Sequence, residues 1–408
     1  MTALPEAFTD YTRQLMGEER FERYLQSFEE PTPVSIRLNP MKSADLEPVD
    51  GEPVAWCRGG YYLHQRPSFT FDPLLHAGCY YVQEAASMFL DEVLRQTIGS
   101  QLSNGEIDQL SKGRCLDLCA APGGKSTLLR AALPEDCVLY SNEPVRQRAC
   151  ILAENVSKWG YDNHIVTNNY PRDYRASKLS FDVILCDVPC SGEGMFRKDA
   201  TTINEWSLQN VEKCWQLQRE IIDDAWACLR PGGMLIYSTC TFNTMENEEN
   251  IQYFLEKYDA ELVPINIRPE WHITGSLLKD FEEPVYRFIP GVSRSEGLFL
   301  CVLRKHGGKS QEGKAKKDVL HVMKNDNRLQ TADIQVELTY PQALAYLRHE
   351  ALQLPEDTPR GLVTVCFQGH PLGMVKNIGS RANNLYPKEW KIKTTHIPND
   401  YETILRHT

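Results

Sequence analysis

Two cysteines sit where the pattern of the chain favours chemistry over packing. Cys190 lies in Asp187-Val-Pro-Cys-Ser-Gly-Glu-Gly-Met-Phe, and Cys240 lies in Ser238-Thr-Cys-Thr-Phe. Each directly follows an apolar run that reads as a buried strand, Phe181 to Cys186 for the first and Met234 to Tyr237 for the second. A third such run, Arg114-Cys-Leu-Asp-Leu, opens into the small-residue loop Cys119-Ala-Ala-Pro-Gly-Gly-Lys125. In an open parallel sheet, ligands bind at the carboxyl ends of the strands. The three segments are therefore expected to converge on one crevice, with a glycine-rich loop, an aspartate and two thiols.

A cysteine attacks as the thiolate, which a helix N-terminus or a nearby positive charge favours. Cys240 precedes an expected helix start by a few residues. A thiolate can add to C6 of a pyrimidine ring and make C5 nucleophilic enough to take a methyl group. A carboxyl near N3 and N4 stabilises the charge that develops, and Asp187 suits that role. A base must then remove the C5 proton before the thiol can leave. With two thiols, one can attack while the other assists release.

The loop of Cys119, Ala120, Ala121, Pro122, Gly123, Gly124 and Lys125 is neither a Walker A sequence nor a Gly-x-Gly-x-x-Gly fingerprint. Its small residues let a ligand approach the backbone closely. Glu143 ends the next strand about 20 residues on, where an acid suits ribose hydroxyls. A ribose-bearing cofactor is implied, and this pattern leaves nicotinamide and S-adenosylmethionine both open. The plainer readings are a tight turn with a solvated Glu and two buried structural cysteines. Both cysteines at strand ends beside an Asp-x-Pro turn weigh toward chemistry.

These residues need a scaffold. From about 111 to 304, strand and helix patterns alternate, which implies a doubly wound parallel α/β sheet. The strands are expected at Cys115–Leu118, Val138–Ser141, His164–Thr167, Val183–Cys186, Leu235–Tyr237 and Gly297–Leu303. A long helix from about Leu208 to Leu229 stops at Arg230-Pro-Gly-Gly, and a later one starts near Thr244. Residues 1–100 form an N-terminal α+β module, with one amphipathic helix over Phe8–Phe28 and a short strand between Pro33 and Pro40. Residues 305–318 are polar and rich in Gly and Lys, a linker by composition. Residues 319–408 form a smaller α+β module.

The chain has 408 residues, ordinary globular usage (42% hydrophobic, 24% charged) and a net charge of -11. That balance argues against a nucleic-acid partner until its distribution is considered. Lys and Arg outnumber Asp and Glu by eight to three over Cys301–Gln330, and by five to one over Pro371–Thr395. Basic character therefore gathers late in the chain. No apolar run is long enough to cross a membrane and no signal sequence is read, so a cytoplasmic protein is expected. The 13 cysteines contain no Cys-x-x-Cys array, so no metal site is expected.

At Cys119–Lys125, Asp187–Asp199 and Tyr237–Asn243, the chain resembles the Sun (Fmu-like) family of S-adenosylmethionine-dependent RNA cytosine-C5 methyltransferases. Within it, the likeness is nearest to the RsmF-like 16S ribosomal RNA enzymes. The resemblance implies a Rossmann-like class I methyltransferase fold over 101–304 and a PUA-like RNA-binding domain over 319–408. It implies that Cys240 is the nucleophile and that Cys190 assists product release. Residues 119–125 and Glu143 would hold S-adenosylmethionine, with Asp187 between cofactor and target base. The family usually has an acid after the third strand to contact the adenine. Here Asn169 occupies that position and Asp173 comes a few residues late. RNA is the implied partner, 5-methylcytosine the product and a monomer the default state.

Other residues have two readings each. Arg37 and Asn39 either touch RNA or cap a strand end. Arg197 and Lys198 either hold RNA phosphates or lie in a solvated loop. Trp206, Trp215 and Trp226 read as packing residues of the long helix. A nicotinamide dehydrogenase gives paired thiols no role, and a non-catalytic RNA-binding factor does not need them. A cysteine hydrolase lacks a His placed by motif beside either thiol.

Overall fold

The aromatic spacing of the first thirty residues predicts one helix, but the chain forms two. Helices α1 (Glu6–Met16) and α2 (Glu18–Gln26) meet at Gly17, whose φ of 76° is readily open only to glycine. Their apolar faces, with Phe8, Met16, Phe21 and Tyr24, pack on Phe196, Trp206 and Phe242 beside the two cysteine loops. The structure, a computed structural model, describes residues 3–103, 112–307, 316–323, 331–394, 397–398 and 400–408.

The N-terminal module continues with strands β1 (Val34–Leu38), β2 (Leu46–Pro48), β3 (Gly51–Pro53) and β4 (Gly60–Leu63), the short helix α3 (Pro73–His76) and β5 (Tyr80–Val82). Strands β3-β4-β1-β5 form an antiparallel sheet. Arg37 and Asn39, on and after β1, are buried ties between modules and have no surface to offer RNA. Arg37 Nη2 donates to Thr127 Oγ1 (2.7 Å) and Gly124 O (3.2 Å). Asn39 Nδ2 donates to Gly78 O and Trp159 O.

Helix α4 (Phe89–Ser103) leads into the large sheet. Its parallel centre runs β10-β9-β6-β7-β8, built from β6 (Arg114–Asp117), β7 (Val138–Asn142), β8 (His164–Thr167), β9 (Phe181–Asp187) and β10 (Leu229–Thr239). The connecting helices are α5 (Gly124–Ala132), α6 (Arg146–Trp159), α7 (Pro171–Ser177), α8 (Ala200–Glu205) and α9 (Leu208–Cys228). Trp206 precedes α9 rather than lying on it. Arg230-Pro-Gly-Gly stops α9 and becomes a bulge inside β10.

The late strand departs from the all-parallel expectation. After β10 the chain crosses through α10 (Glu248–Lys257) to β11 (Ala260–Leu262). It then returns by way of β12 (Tyr286–Phe288), with no crossover helix, so β13 (Leu298–Lys305) enters beside β10 antiparallel. Helix α10 begins four residues beyond Thr244, because 244–247 are spent in buried turns. Apolar clusters fill both faces of the sheet, one around Val93, Leu128 and Val302, the other around Tyr174, Trp226 and Leu303.

The C-terminal module holds β14 (Gln335–Glu337), α11 (Tyr340–Leu347), β15 (Gly361–Phe367), β16 (His370–Asn377) and β17 (Ala382–Asn384) in one sheet with a helix. A last strand, β18 (Leu405–His407), pairs with β2 of the N-terminal module. Ile36, Leu74 and Tyr80 share one core with Leu344, Val365 and Leu405, so the two outer modules are built around a common interior.

The polar stretch 305–318 is not a free tether where it is described; residues 308–315 lie outside the described residues. Lys305 ends β13 with its Nζ donating to Trp226 O and Leu229 O. Lys316 N donates to Ser177 O, and Leu320 and Met323 are buried. Residues 321–323 lie along β8, with an antiparallel bridge between Thr167 and Val322.

Candidate active site

Strands β6, β7, β8, β9 and β10 deliver their carboxyl ends to one edge of the sheet. There Cys190 Sγ and Cys240 Sγ stand 3.2 Å apart, and Cys240 N–H points at Cys190 Sγ (3.3 Å). Contact with Cys240 and then burial push the Cys190 thiol well above its ordinary range.

Asp187 ends β9 and is held from two sides. Lys125 Nζ donates to Oδ2 at 2.8 Å, and Ser238 Oγ donates to Oδ1 at 2.7 Å. Burial lowers the Lys125 ammonium, but the charge of Asp187, their hydrogen bond and the charge of Cys240 more than reverse this and leave it raised. Lys125 is a half-buried cation paired with the aspartate.

A polar network that the sequence did not reveal locks the two cysteine loops together. Glu193, after Cys190, accepts the N–H groups of Phe242 (2.7 Å) and Asn243 (3.0 Å), after Cys240. Glu246 returns the link by accepting Ser191 N–H (3.1 Å), Gln218 Nε2 (2.7 Å) and Asn243 Nδ2 (2.8 Å). Burial raises the Glu246 carboxyl to about 7. Arg287 pairs with Glu248 and donates to Phe242 O (2.9 Å). In the sequence, Glu246 and Glu248 read as the first turn of the helix starting near Thr244, and Glu193 as part of the Cys190 loop. Their signal was density of Asn and Glu directly after an apolar strand. Backbones also meet here, since Gly194 N–H donates to Cys240 O at 2.7 Å.

The loop 119–125 runs from β6 into α5, with a cis bond at Ala121–Pro122 and Gly123 at φ 117°. Glu143 follows β7. Its Oε1 accepts Val145 N–H (2.8 Å), and Oε2 faces Arg148 at 3.3 Å. Asn142 joins three strand ends, donating to Leu118 O and Asn169 O and accepting from Asn169 N. A strand-end carboxylate beside a loop of Ala and Gly fits a ribose-bearing cofactor. The two adenine candidates are both engaged. Asp173 accepts Tyr170 N–H at the start of α7 (2.8 Å), and the Asn169 amide pairs with the backbone of His321.

Arg197 is not available to phosphates. Its guanidinium is 5% exposed, pairs with buried Glu296 at 3.0 Å and donates to Glu30 O. Lys198, its neighbour, is exposed. Among the described residues no cluster of His, Cys, Asp and Glu could hold a metal.

Residues 107–304 match the profile of 16S rRNA methyltransferase RsmB/F, residues 4–85 that of the N-terminal domain of 16S rRNA methyltransferase RsmF, and residues 334–392 that of the methyltransferase RsmF PUA domain. The chain belongs to the RsmB/F family. The ribosomal RNA small subunit methyltransferase F of Erwinia tasmaniensis is 28% identical over 94% of this chain and 96% of its own length. The protein of that name from Cronobacter sakazakii is 32% identical over 74% of this chain, an alignment spanning 63% of that relative. A methyltransferase homologue from Pyrococcus horikoshii superimposes with a TM-score of 0.59 at 28% identity, over 74% of this chain and 95% of that one. This RsmB/F-family member is thus an S-adenosylmethionine-dependent RNA methyltransferase with a Rossmann-like catalytic domain, an N-terminal domain and a C-terminal PUA domain, as the resemblance implied.

Proposed function

We propose that this enzyme forms 5-methylcytosine in small-subunit (16S) ribosomal RNA through a covalent bond between Cys240 and C6 of the target base. The observation that carries the reading is the 3.2 Å approach of two thiols beside the Lys125–Asp187 pair. Cys240, in the Ser-Thr-Cys segment whose family resemblance implies the nucleophile, is the sulfur that attacks. Lys125 supplies the positive charge that favours a thiolate. Asp187, one-third exposed, faces N3 and N4 of the ring and stabilises the charge that addition creates.

Residues 119–125 and Glu143 would hold S-adenosylmethionine, which would supply the methyl group to C5 and leave as S-adenosylhomocysteine. The C5 proton then passes to a base, the C6–S bond breaks, and its electron pair returns to Cys240. Cys190 lies close enough to assist that departure. RNA docking falls to the outer modules and the PUA domain, where Lys376, Arg381, Lys388, Lys391 and Lys393 are all exposed. A ribosomal RNA substrate puts the enzyme in the cytoplasm, and a monomer suffices because every proposed site residue comes from one chain. Among the described residues no helix is long and apolar enough to cross a membrane.

Bisulfite mapping of 16S RNA from cells with and without the protein tests this. At least one protected cytosine should depend on the protein and on Cys240. If no cytosine does, the reading falls.

A further inference from the structure

Asn169, at the position where the family resemblance implies adenine recognition, is engaged by another part of the same chain. Asn169 Oδ1 accepts the N–H of His321 at 2.8 Å, and Asn169 Nδ2 donates to the C=O of His321 at 3.2 Å. One side-chain amide thus grips both polar groups of one residue's backbone. The same His321 C=O accepts Asn168 N–H (3.0 Å), and Met323 N–H donates to Val166 O (2.8 Å). An edge strand presents unpaired N–H and C=O groups, and residues 321–323 cover those of β8.

One of their side chains reaches the cofactor loop. Met323 is buried in a cluster with Ala120 and Ala121 of that loop, Ala149, Leu152 and Val156 of α6, and Val166 of β8. Asn168 Nδ2 in turn donates to Glu143 O (2.7 Å) and Pro144 O (2.9 Å). One short segment therefore braces the 119–125 loop from behind and, through Asn168, the backbone at Glu143. That segment lies directly before the C-terminal domain.

We propose that residues 320–323 are a positioning strand for the cofactor site, so that Asn169 acts by holding this strand rather than by contacting adenine. This rests on the reading of residues 119–125 and Glu143 as the S-adenosylmethionine site. Docking of the strand and binding of the cofactor are then thermodynamically coupled, and each strengthens the other.

The test uses full-length protein, S-adenosylhomocysteine titrated by calorimetry, and amide hydrogen exchange without ligand. Asn169→Ala should weaken binding about tenfold, as expected for loss of two hydrogen bonds, and should speed exchange at Asn168 and Met323. Met323→Ala does not touch position 169, yet it should weaken binding to a similar extent. The double variant should be little worse than either single one, because both act through the same strand. If Asn169→Ala weakens binding while Met323→Ala leaves it unchanged, Asn169 contacts the cofactor itself and the proposal is overturned. Unchanged exchange at 168 and 323 in Asn169→Ala also overturns it. Wild-type protein that binds no S-adenosylhomocysteine instead refutes the cofactor reading on which the proposal stands.

Discussion

The thiol pocket and the cofactor rim occupy the same edge of the sheet, but different stretches of chain hold them. Around the thiols, the bonds tie one strand-end loop to the next, as Ser191 to Glu246 does across 55 positions. At the rim, Asn169 is held by His321, 152 positions away and beyond the last strand of the catalytic sheet. The first region is sealed by buried carboxylates that accept backbone N–H groups. The second is closed by a borrowed strand. A pocket made from neighbouring loops keeps its shape as long as the sheet exists. A rim closed by a distant segment can loosen while the sheet stays folded.

The thiol variants should give the largest effect. Cys240→Ala should lower methyl transfer at least about 10³-fold, the scale on which loss of a nucleophile acts, and should form no RNA adduct. Cys190→Ala should accumulate a protein–RNA adduct, visible on denaturing gels with target RNA and cofactor. The opposite pattern would reverse the two roles.

Gly194 sharpens the contrast at the level of packing. A Cβ there would lie 2.6 Å from Cys240 O and 2.7 Å from the Cα of Gly297. Gly194→Ala should cost about 1–3 kcal/mol of stability, the usual range for overpacking, and should impair turnover. Cofactor affinity should stay within about twofold, a shift of ~0.4 kcal/mol, because the rim is held elsewhere. Urea unfolding and calorimetry on one preparation check both halves. A large loss of S-adenosylhomocysteine binding would mean that the two regions are one unit.

The smallest effect is in pH dependence. Glu246 titrates near 4.5 when unfolded and near 7 in the fold because burial disfavours its charge. Between those values the folded state binds more protons, so stability falls as pH rises. Glu246→Gln should make that decline shallower, whatever its offset in absolute stability. Thermal or urea midpoints from about pH 4.5 to 7 read this out, and an unchanged slope would refute it.

What the sequence revealed follows the same division. Cys190, Cys240, Asp187 and the small-residue loop were legible because strand-end position follows from local apolar runs. The parallel centre of the sheet was legible because helix patterns alternate with those runs. The reversed β13 was not, because strand direction depends on whether the connection crosses over, and an apolar run reads alike in either direction. Arg37 and Arg197 were each read as an RNA contact or a plainer loop or strand-end residue, because charge suggests a surface. Their burial is set by Gln83, Thr127 and Glu296, partners that local pattern does not reveal. Residues 305–318 looked like a tether because Gly and Lys dominate them. The anchors are Lys305 and Lys316 at its described ends, and Leu320 and Met323 just beyond it. Deleting everything from 319 onward is therefore no clean test of RNA binding, since it also removes the partner of Asn169.

The pairing of β18 with β2 bears on how the protein is made. Arg406 meets Glu47 across 359 positions, and the N-terminal interior is completed by residues near the far end of the chain. Contacts so distant in sequence form late and slowly. On the ribosome, the first module must wait, with part of its apolar face uncovered, until residues as late as Leu405 have been synthesised. A chain that stops early lacks that cover, which makes a prematurely terminated product a natural target for proteolysis.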